Sequence, residues 1–372
     1  VLKAAPGGVK PFIASDEEGG QVQRLRYVIY PLPSARVMGR WSVSRNRATA
    51  RDYGARLRKL HVSVAFGPVA DLDVPGRYMS SLDRCFSSRP EAVGSRVVAW
   101  VTGMRRSRVL TTVKHWPGHG WAADTHTGAA RVPSLSVLRR RDMVPFEQAF
   151  AAGVPLVMVG HLRSKGLTGD RTPASLSRNA MRYLRSRVGD ETVIVTDSLS
   201  MAATTTALGI KTPAAAVRAL RAGADLALFA SGDPAAVIDA VTAAIRSGRL
   251  PRAQAEASAL RVLELKRKAG LAPAPKGGFI RIQSNFVSFS RFPKMARELP
   301  MRISGFLMLC KRQFVKASRA QLGEISTPVT WDNFSAVATK KPPLPQAKSA
   351  RRAPGKVSSR EAAQRVRWRG VK

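Results

Sequence analysis

The chain has 372 residues, of which 44% are hydrophobic, so it can bury a substantial core and is not a disordered chain as a whole. Its two cysteines, Cys85 and Cys310, lie far apart without metal-like spacing, which argues against a disulfide scaffold or a zinc site. The formal net charge of +38 would ordinarily indicate nucleic acid or an anionic surface as a partner. The distribution of this charge along the chain matters more than its size.

Residues 10–268 alternate short apolar runs with helix-length amphipathic stretches, a pattern typical of βα units around a parallel sheet. The runs that predict strands are PFIAS, VSVAFGPV, VLTTV, PLVMVG, TVIVT and ADLALFA. Helices are predicted over residues 46–60, 90–106, 134–152, 175–188, 212–222, 233–247 and 251–268. Polar or glycine-rich residues follow the strands, as on the active face of a β/α barrel, where loops at the carboxyl ends of the strands hold the functional groups.

After about residue 272 this alternation stops. Residues 271–372 contain 21 Lys and Arg against 4 Asp and Glu, with Pro-rich stretches between them. The apolar run ISGFLMLC is compatible with a helix, but a composition of this kind favours disorder. We therefore expect a folded domain over residues 1–271 and a basic, largely disordered tail over residues 272–372.

The sequence predicts neither a signal peptide nor a transmembrane helix. The first residues, VLKAAPGGVKPF, lack the apolar run of a signal peptide, and no stretch approaches the roughly 18 apolar residues of a transmembrane helix. The compartment, cytoplasm or cell envelope, stays open, because a removed targeting segment would leave the same sequence. We expect a monomer that needs no cofactor.

The densest cluster of reactive side chains follows the VLTTV strand. It runs KHWPGHG from Lys114 to Gly120 and continues to Asp124, Thr125 and His126, so three of the five histidines fall within twelve residues. A polar surface loop or a metal site made of spaced histidines are the alternatives. Metal is disfavoured, because no run gives two histidines on one helix face and few carboxylates stand nearby.

Three further side chains stand at strand ends. Asp197 ends TVIVTDSLSM, where barrel geometry directs a carboxylate into the central pocket, although an aspartate there also suits the N-cap of a following helix. Asp16 follows the first strand and precedes two glycines. Arg84, in SLDRCFS, can present its fork of donors to sugar oxygens or form a surface salt bridge.

These segments together resemble a known family. DEEGGQVQRL, GPVADLDV, DRCFS, KHWPGHG followed by DTH, and VIVTDSLSM occur in the order of the signature segments of glycoside hydrolase family 3, in its β-N-acetylglucosaminidase (NagZ-like) branch. The resemblance covers roughly residues 10–230 and implies a TIM-type (β/α)8 barrel. The family barrel begins upstream of DEEGG, so the chain is expected to lack the first βα unit. The glycine usual before Asp83 is absent, and the tail has no counterpart.

The resemblance also implies roles for individual residues. Asp197 would be the nucleophile, and His126 the general acid/base with Asp124 as its partner. Two positions apart in an extended loop, Asp124 and His126 would place both side chains on one side, so that the carboxylate fixes the imidazole tautomer. The residues expected to hold sugar hydroxyls are Asp16, Arg84, Lys114, His115 and His161.

We therefore expect a retaining exo-β-N-acetylglucosaminidase that hydrolyses terminal β-linked N-acetylglucosamine from muropeptides or other cell-wall glycans. A phosphorylase is a variant of this hypothesis, because a neutral imidazole repels a phosphate acceptor less than a carboxylate does. The alternative from another class is a catalytically degraded relative whose basic tail binds nucleic acid or an anionic polymer without sequence preference.

Overall fold

The computed structural model of the chain describes residues 8–169, 172–273 and, as a backbone strand only, 308–310. The predicted disordered tail therefore lies outside the described residues, except for residues 272, 273 and 308–310.

The described residues form an α/β fold in which strands and helices alternate. The strands are β1 (Ala14–Gly19), β2 (Val22–Gln23), β3 (Val64–Phe66), β4 (Leu110–Trp116), β5 (Ala130–Arg131), β6 (Leu156–Val159), β7 (Leu162–Arg163), β8 (Val193–Thr196), β9 (Ala227–Phe229) and β10 (Met308–Cys310). The helices are α1 (Ala35–Met38), α2 (Val43–Lys59), α3 (Tyr78–Ser81), α4 (Pro90–Arg106), α5 (Leu135–Arg140), α6 (Val144–Ala151), α7 (Arg178–Val188), α8 (Thr212–Ala222), α9 (Pro234–Arg246) and α10 (Arg252–Lys268).

The main sheet has the order β2-β1-β3-β4-β6-β8, and all its pairs are parallel except the β1-β2 hairpin. A parallel bridge between Val195 and Leu226 continues this order toward β9. Each of the six predicted strands is confirmed, because the apolar runs are buried on both faces, as parallel strands covered by helices require. Consecutive βα units of this kind place the carboxyl ends of the parallel strands on one side of the sheet.

Both faces of the strands pack into apolar clusters. In β6, Leu156 and Met158 join one cluster with residues of β3, β8 and α10, whereas Val157 and Val159 join the larger cluster beneath the helices. The alternation follows from the two-residue repeat of a strand. The strands are therefore held from two sides, which fixes their carboxyl ends as a rigid platform for loops.

The predicted helices are also confirmed, with one difference over residues 134–152. There the chain forms two helices, α5 and α6, with Arg141 at φ −133° and ψ −73° between them. Pro145 lies in the first turn of α6, where its missing N–H costs nothing, so a new helix can begin at Val144. The break places Asp142 beneath the loop that follows β4.

The run ISGFLMLC differs from its sequence interpretation as well. Its last three residues, Met308–Cys310, pair in parallel with β9 as strand β10 and are not helical. A short apolar run cannot be assigned to helix or strand by periodicity alone, and the neighbouring strand supplies the hydrogen bonds here. In the part of the chain described, none of the helices has the length and apolar character needed to cross a membrane.

Candidate active site

Four of the eight predicted site residues lie on strands of the parallel sheet or directly after one. Asp16 is in β1, Lys114 and His115 are in β4, and Asp197 directly follows β8. Their side chains are separated by up to about half the chain in sequence but come together on the sheet's loop face. The strand register therefore brings these residues together.

Lys114 is the centre of a buried ion network. Its Nζ atom lies 2.6 Å from Glu18 Oε1 and 3.1 Å from Asp16 Oδ1, and its side chain is only 2% exposed. Burial alone would lower the pKa of Lys114, but the charges of Glu18 and Asp16 outweigh burial and raise it. The ammonium group is therefore kept charged in a site from which water is largely excluded.

Arg84 completes this network and is not a surface residue. Its Nε and Nη2 atoms donate to the two carboxylate oxygens of Glu18 at 2.8 and 2.9 Å, in a fork that fixes the guanidinium plane. Nη2 also lies 3.5 Å from Nε2 of His115. Burial raises the pKa of Glu18, but Lys114 and Arg84 lower it by more, so Glu18 is the ionised anchor of two cations.

His115 is held by Asp71, which is fully buried in the loop after β3. Asp71 Oδ2 lies 2.8 Å from Nδ1 of His115, while Oδ1 accepts the backbone N–H groups of His115 at 3.1 Å and His119 at 2.7 Å. Since an ionised carboxylate only accepts, Nδ1 carries the proton and Nε2 faces Arg84. One carboxylate thus sets both the ring and the backbone of the KHWPGHG segment.

Asp197 occupies the end of β8 and does not cap a helix. Its backbone N–H donates to Val159, its Oδ1 accepts the N–H of Ser198 at 2.7 Å, and an irregular turn follows until α8 begins. Burial would raise the pKa of Asp197, but nearby basic groups, His115 first among them, lower it to about 2. The carboxylate is therefore ionised at any pH near neutrality.

His161 is fully buried and both of its ring nitrogens are occupied by protein groups. Nε2 lies 2.9 Å from the carbonyl oxygen of Ser198, and Nδ1 lies 2.7 Å from the hydroxyl of Ser175. Burial lowers the pKa of His161, which favours the neutral ring with Nε2–H donating and Nδ1 accepting. This geometry disagrees with a direct sugar contact, since no ring nitrogen is left for a hydroxyl, and His161 instead fixes the residue that follows Asp197.

Asp124 and His126 form a pair, as expected, but through a turn and not through an extended loop. Asp124 Oδ1 lies 2.7 Å from Nδ1 of His126 and accepts the backbone N–H of the same residue at 2.9 Å. The carbonyl oxygen of Asp124 accepts from Thr127, which closes the turn. The histidine side chain is 56% exposed, so Nε2 faces solvent while Asp124 holds the proton on Nδ1.

The Asp124–His126 turn rests on the segment that follows Asp197. The carbonyl oxygen of Thr125 accepts the N–H of Ala203, and the Thr125 hydroxyl lies 3.7 Å from the sulfur of Met201. Burial, together with the charges of both Asp124 and Asp197, raises the pKa of Tyr78. The charges of both carboxylates therefore act on Tyr78, in α3.

Sequence reasoning missed Glu18, Asp71 and Arg24 as members of this site. Glu18 and Asp71 bind the cations and rings described above, and Arg24 Nη2 lies 3.5 Å from Asp16 Oδ2 with a largely exposed side chain. The available signal for Glu18 and Asp71 was that DEEGG and ADLD directly follow the apolar runs PFIAS and VSVAFGPV, whereas Arg24 had no such signal. Among the described residues, no group of three or more His, Cys, Asp or Glu side chains is arranged to hold a metal ion.

Comparison with known proteins places these residues in a family context. Residues 1–265 match the family model described as the glycosyl hydrolase family 3 N terminal domain. The chain is similar to the β-hexosaminidase LpqI of Mycobacterium tuberculosis, with 39% identity over 274 residues that cover 70% of each sequence.

Solved structures of similar proteins belong to the same family. The structure of M. tuberculosis LpqI superposes with a TM-score of 0.67 at 36% identity, covering 74% of this chain and 80% of that one. A glycoside hydrolase family 3 β-N-acetylglucosaminidase from a Paenibacillus species superposes with a TM-score of 0.67 at 31% identity, covering 80% of this chain and 56% of that one.

Proposed function

Since the chain belongs to glycosyl hydrolase family 3, we propose that it is a retaining exo-β-N-acetylglucosaminidase that removes terminal β-linked N-acetylglucosamine from muropeptides or other cell-wall glycans. The observation that carries this proposal is the ionised Asp197 carboxylate at the end of β8, beside a loop that presents the Asp124–His126 pair. The name of a similar protein indicates N-acetylglucosamine as the sugar. The Asp197 carboxylate and the Asp124–His126 pair indicate how the glycosidic bond would be cleaved.

In this mechanism Asp197 attacks the anomeric carbon and forms a covalent glycosyl-enzyme intermediate. Its lowered pKa keeps it unprotonated and ready for attack, and the hydrogen bond from Ser198 fixes one oxygen so that the other faces the sugar. His161, through the Ser198 carbonyl, would position this segment and would not touch the substrate.

His126 would act first as the acid and then as the base. In the imidazolium form Nε2 protonates the leaving oxygen, and the neutral ring then takes a proton from the water that cleaves the intermediate. Asp124 keeps the other proton on Nδ1, so the reacting nitrogen is always Nε2. The exposure of the ring suits a group that must meet a leaving group arriving from solvent.

Lys114, Arg84, Asp16 and His115 would bind the hydroxyl groups of the terminal sugar. They form one charged network in which the cations are fixed by Glu18 and the ring by Asp71. Polar groups held rigidly in a site from which water is excluded stabilise the charge that develops in the transition state. We further propose that the parallel strands belong to a TIM-type barrel, which is supported by their sequential order and by the burial of both strand faces.

Release of p-nitrophenol from p-nitrophenyl N-acetyl-β-glucosaminide tests the proposal. We expect turnover by the intact chain, loss of at least about 1000-fold in kcat for Asp197→Asn, and a product of retained anomeric configuration by proton NMR. Asp52→Asn, an exposed carboxylate of α2, is the matched control and should keep full activity. Absence of turnover by folded protein, or an inverted product, contradicts the proposal, and a phosphate-dependent rate identifies a phosphorylase.

A further inference from the structure

Asp142 is a buried carboxyl group that the proposed mechanism does not use. It lies between α5 and α6 and has no exposed surface, and neither of its carboxylate oxygens makes a hydrogen bond of full geometry among the described residues; the indole N–H of Trp121 and its own backbone N–H are the near donors. A buried carboxylate with such weak partners is unfavourable and is rarely kept without a role.

The residue lies directly beneath the loop that follows β4. A Cβ atom at Gly118 would stand 2.8 Å from the Cβ of Asp142, and Gly118 has φ +126°, a conformation that favours glycine. The backbone of the loop therefore rests on Asp142 without space for any side chain between them.

Two loop side chains in the same region have few hydrogen bonds. The Nδ1 of His119 is buried without one among the described residues, the Nε1 of Trp121 has only the Asp142 carboxyl as a near acceptor, and the guanidinium of Arg141 lies 5.3 Å from the centroid of the Trp121 ring. Backbone hydrogen bonds fix the chain at the N–H of His119, at the N–H of Ala122 and at the carbonyl of Thr125. The loop backbone is thus anchored, while the side chains that face Asp142 are held weakly.

We propose that Asp142 is a positioning residue for the loop between His119 and His126, and that its protonation holds this loop closed whereas its ionisation loosens it. The inference rests on the proposed function in one respect, that this loop carries the acid/base pair Asp124 and His126. It adds to that function a control of the acid/base group by a residue that does not contact the substrate.

The charges around Asp142 give the direction of the effect. Burial, with the charge of Asp71 acting in the same direction, raises the pKa of Asp142 to about 6, while Arg141 and the Trp121 indole lower it by less. Because the pKa of the packed state lies above the ordinary value, the packed loop is favoured with the proton bound, and this preference is lost as pH rises through about 6. Opening the loop would solvate the ionised carboxylate. His119, whose pKa burial lowers to about 4, stays neutral over the same range.

Hydrogen–deuterium exchange of the loop amides over residues 119–126 tests the proposal without requiring turnover. After correction for intrinsic exchange rates, we expect protection to fall by about tenfold between pH 5 and pH 7.5, as linkage to a carboxyl shifted from 3.8 to about 6 requires. In Asp142→Asn, which is neutral at every pH, protection should stay constant. Asp233→Asn, which removes an equal charge from the exposed N-cap of α9 and keeps the cap, should retain the step.

A second variant provides an independent test in case the Asn side chain of Asp142→Asn disturbs the packing. Trp121→Phe keeps an aromatic side chain but removes the indole N–H that lowers the pKa of Asp142, so the step should move to higher pH. A step of equal size in Asp142→Asn, or a flat profile in the unaltered chain, overturns the inference. Either result leaves the hydrolysis itself untouched, and an inactive chain would still report on the loop.

Discussion

At the scale of single residues, this site is organised by carboxylates that hold other side chains. Asp71 fixes His115, Glu18 fixes Lys114 and Arg84, and Asp124 fixes the ring of His126. Each of these carboxylates accepts from a donor whose orientation would otherwise vary. The reacting groups therefore depend on neighbours that need not contact the substrate at all.

Replacing Asp124 with Asn should uncouple His126 from its tautomer. The amide N–H₂ can face Nδ1, which moves the ring proton to Nε2 and removes the charge that stabilises the imidazolium. We expect kcat for p-nitrophenyl N-acetyl-β-glucosaminide to fall by about 100-fold or more while KM changes little, because the ground-state sugar contacts remain. Thr127→Ser, which keeps the hydroxyl that closes the turn, serves as the control. A variant that changes only KM would contradict this role.

At the scale of elements, tight helix contacts set the positions of the strands that carry the site. Helix α4 packs against both α2 and α6. An added Cβ at Gly103 would lie 2.5 Å from the backbone oxygen of Arg47, whereas one at Gly94 would meet the side-chain end of Gln148. Backbone cannot withdraw as a flexible side chain can, so the two glycines of one helix differ in what they tolerate.

Gly103→Ala should therefore destabilise the chain by about 1–3 kcal/mol, because overpacking outweighs the gain in helix propensity of about 1 kcal/mol. Gly94→Ala on the same helix should have a smaller effect, since Gln148 can change rotamer. Urea unfolding followed by circular dichroism measures both. Equal stability of the two variants would show that α2 and α4 are not as closely packed as described.

The same helical region shows what the sequence could not provide. Apolar periodicity predicted the helices and strands, since it depends on residues near each other in the chain, and it placed Lys114, His115 and Asp197 at strand ends. It predicted one helix over residues 134–152, although the chain breaks at Arg141. The break places Asp142 under a loop. Its contact with Gly118 is a tertiary contact, which the periodicity of the sequence could not predict.

At the scale of the whole molecule, two buried groups oppose each other as the pH changes. The pKa of His119 is lowered by burial to about 4, so its neutral form stabilises the fold above its unfolded pKa near 6.5, and this contribution is lost as pH falls toward 4. The pKa of Asp142 is raised by burial to about 6, so its contribution is present below about 4 and is lost as pH rises toward 6. The two effects act in opposite directions over this range of pH.

Asp142→Asn should remove one side of this balance. Between pH 4 and pH 6.5 its free energy of unfolding is then expected to rise by about 2 kcal/mol relative to that of the unaltered chain, which loses the Asp142 contribution over this range. Urea midpoints measured at intervals of pH give both curves. Parallel curves would mean that Asp142 does not bind its proton more tightly in the folded chain.

The sequence by itself determined the α/β alternation, the family and most of the polar residues at the strand ends, because these follow from local patterns and short segments. Only the tertiary structure decided which side chains form hydrogen bonds and ion pairs with one another. Glu18 and Asp71 emerged as anchors, both nitrogens of His161 proved to be occupied, and Asp142 lies buried under the acid/base loop. Such pairings join residues that lie on different elements, and their charge and hydrogen bonding depend on burial, which no local pattern encodes.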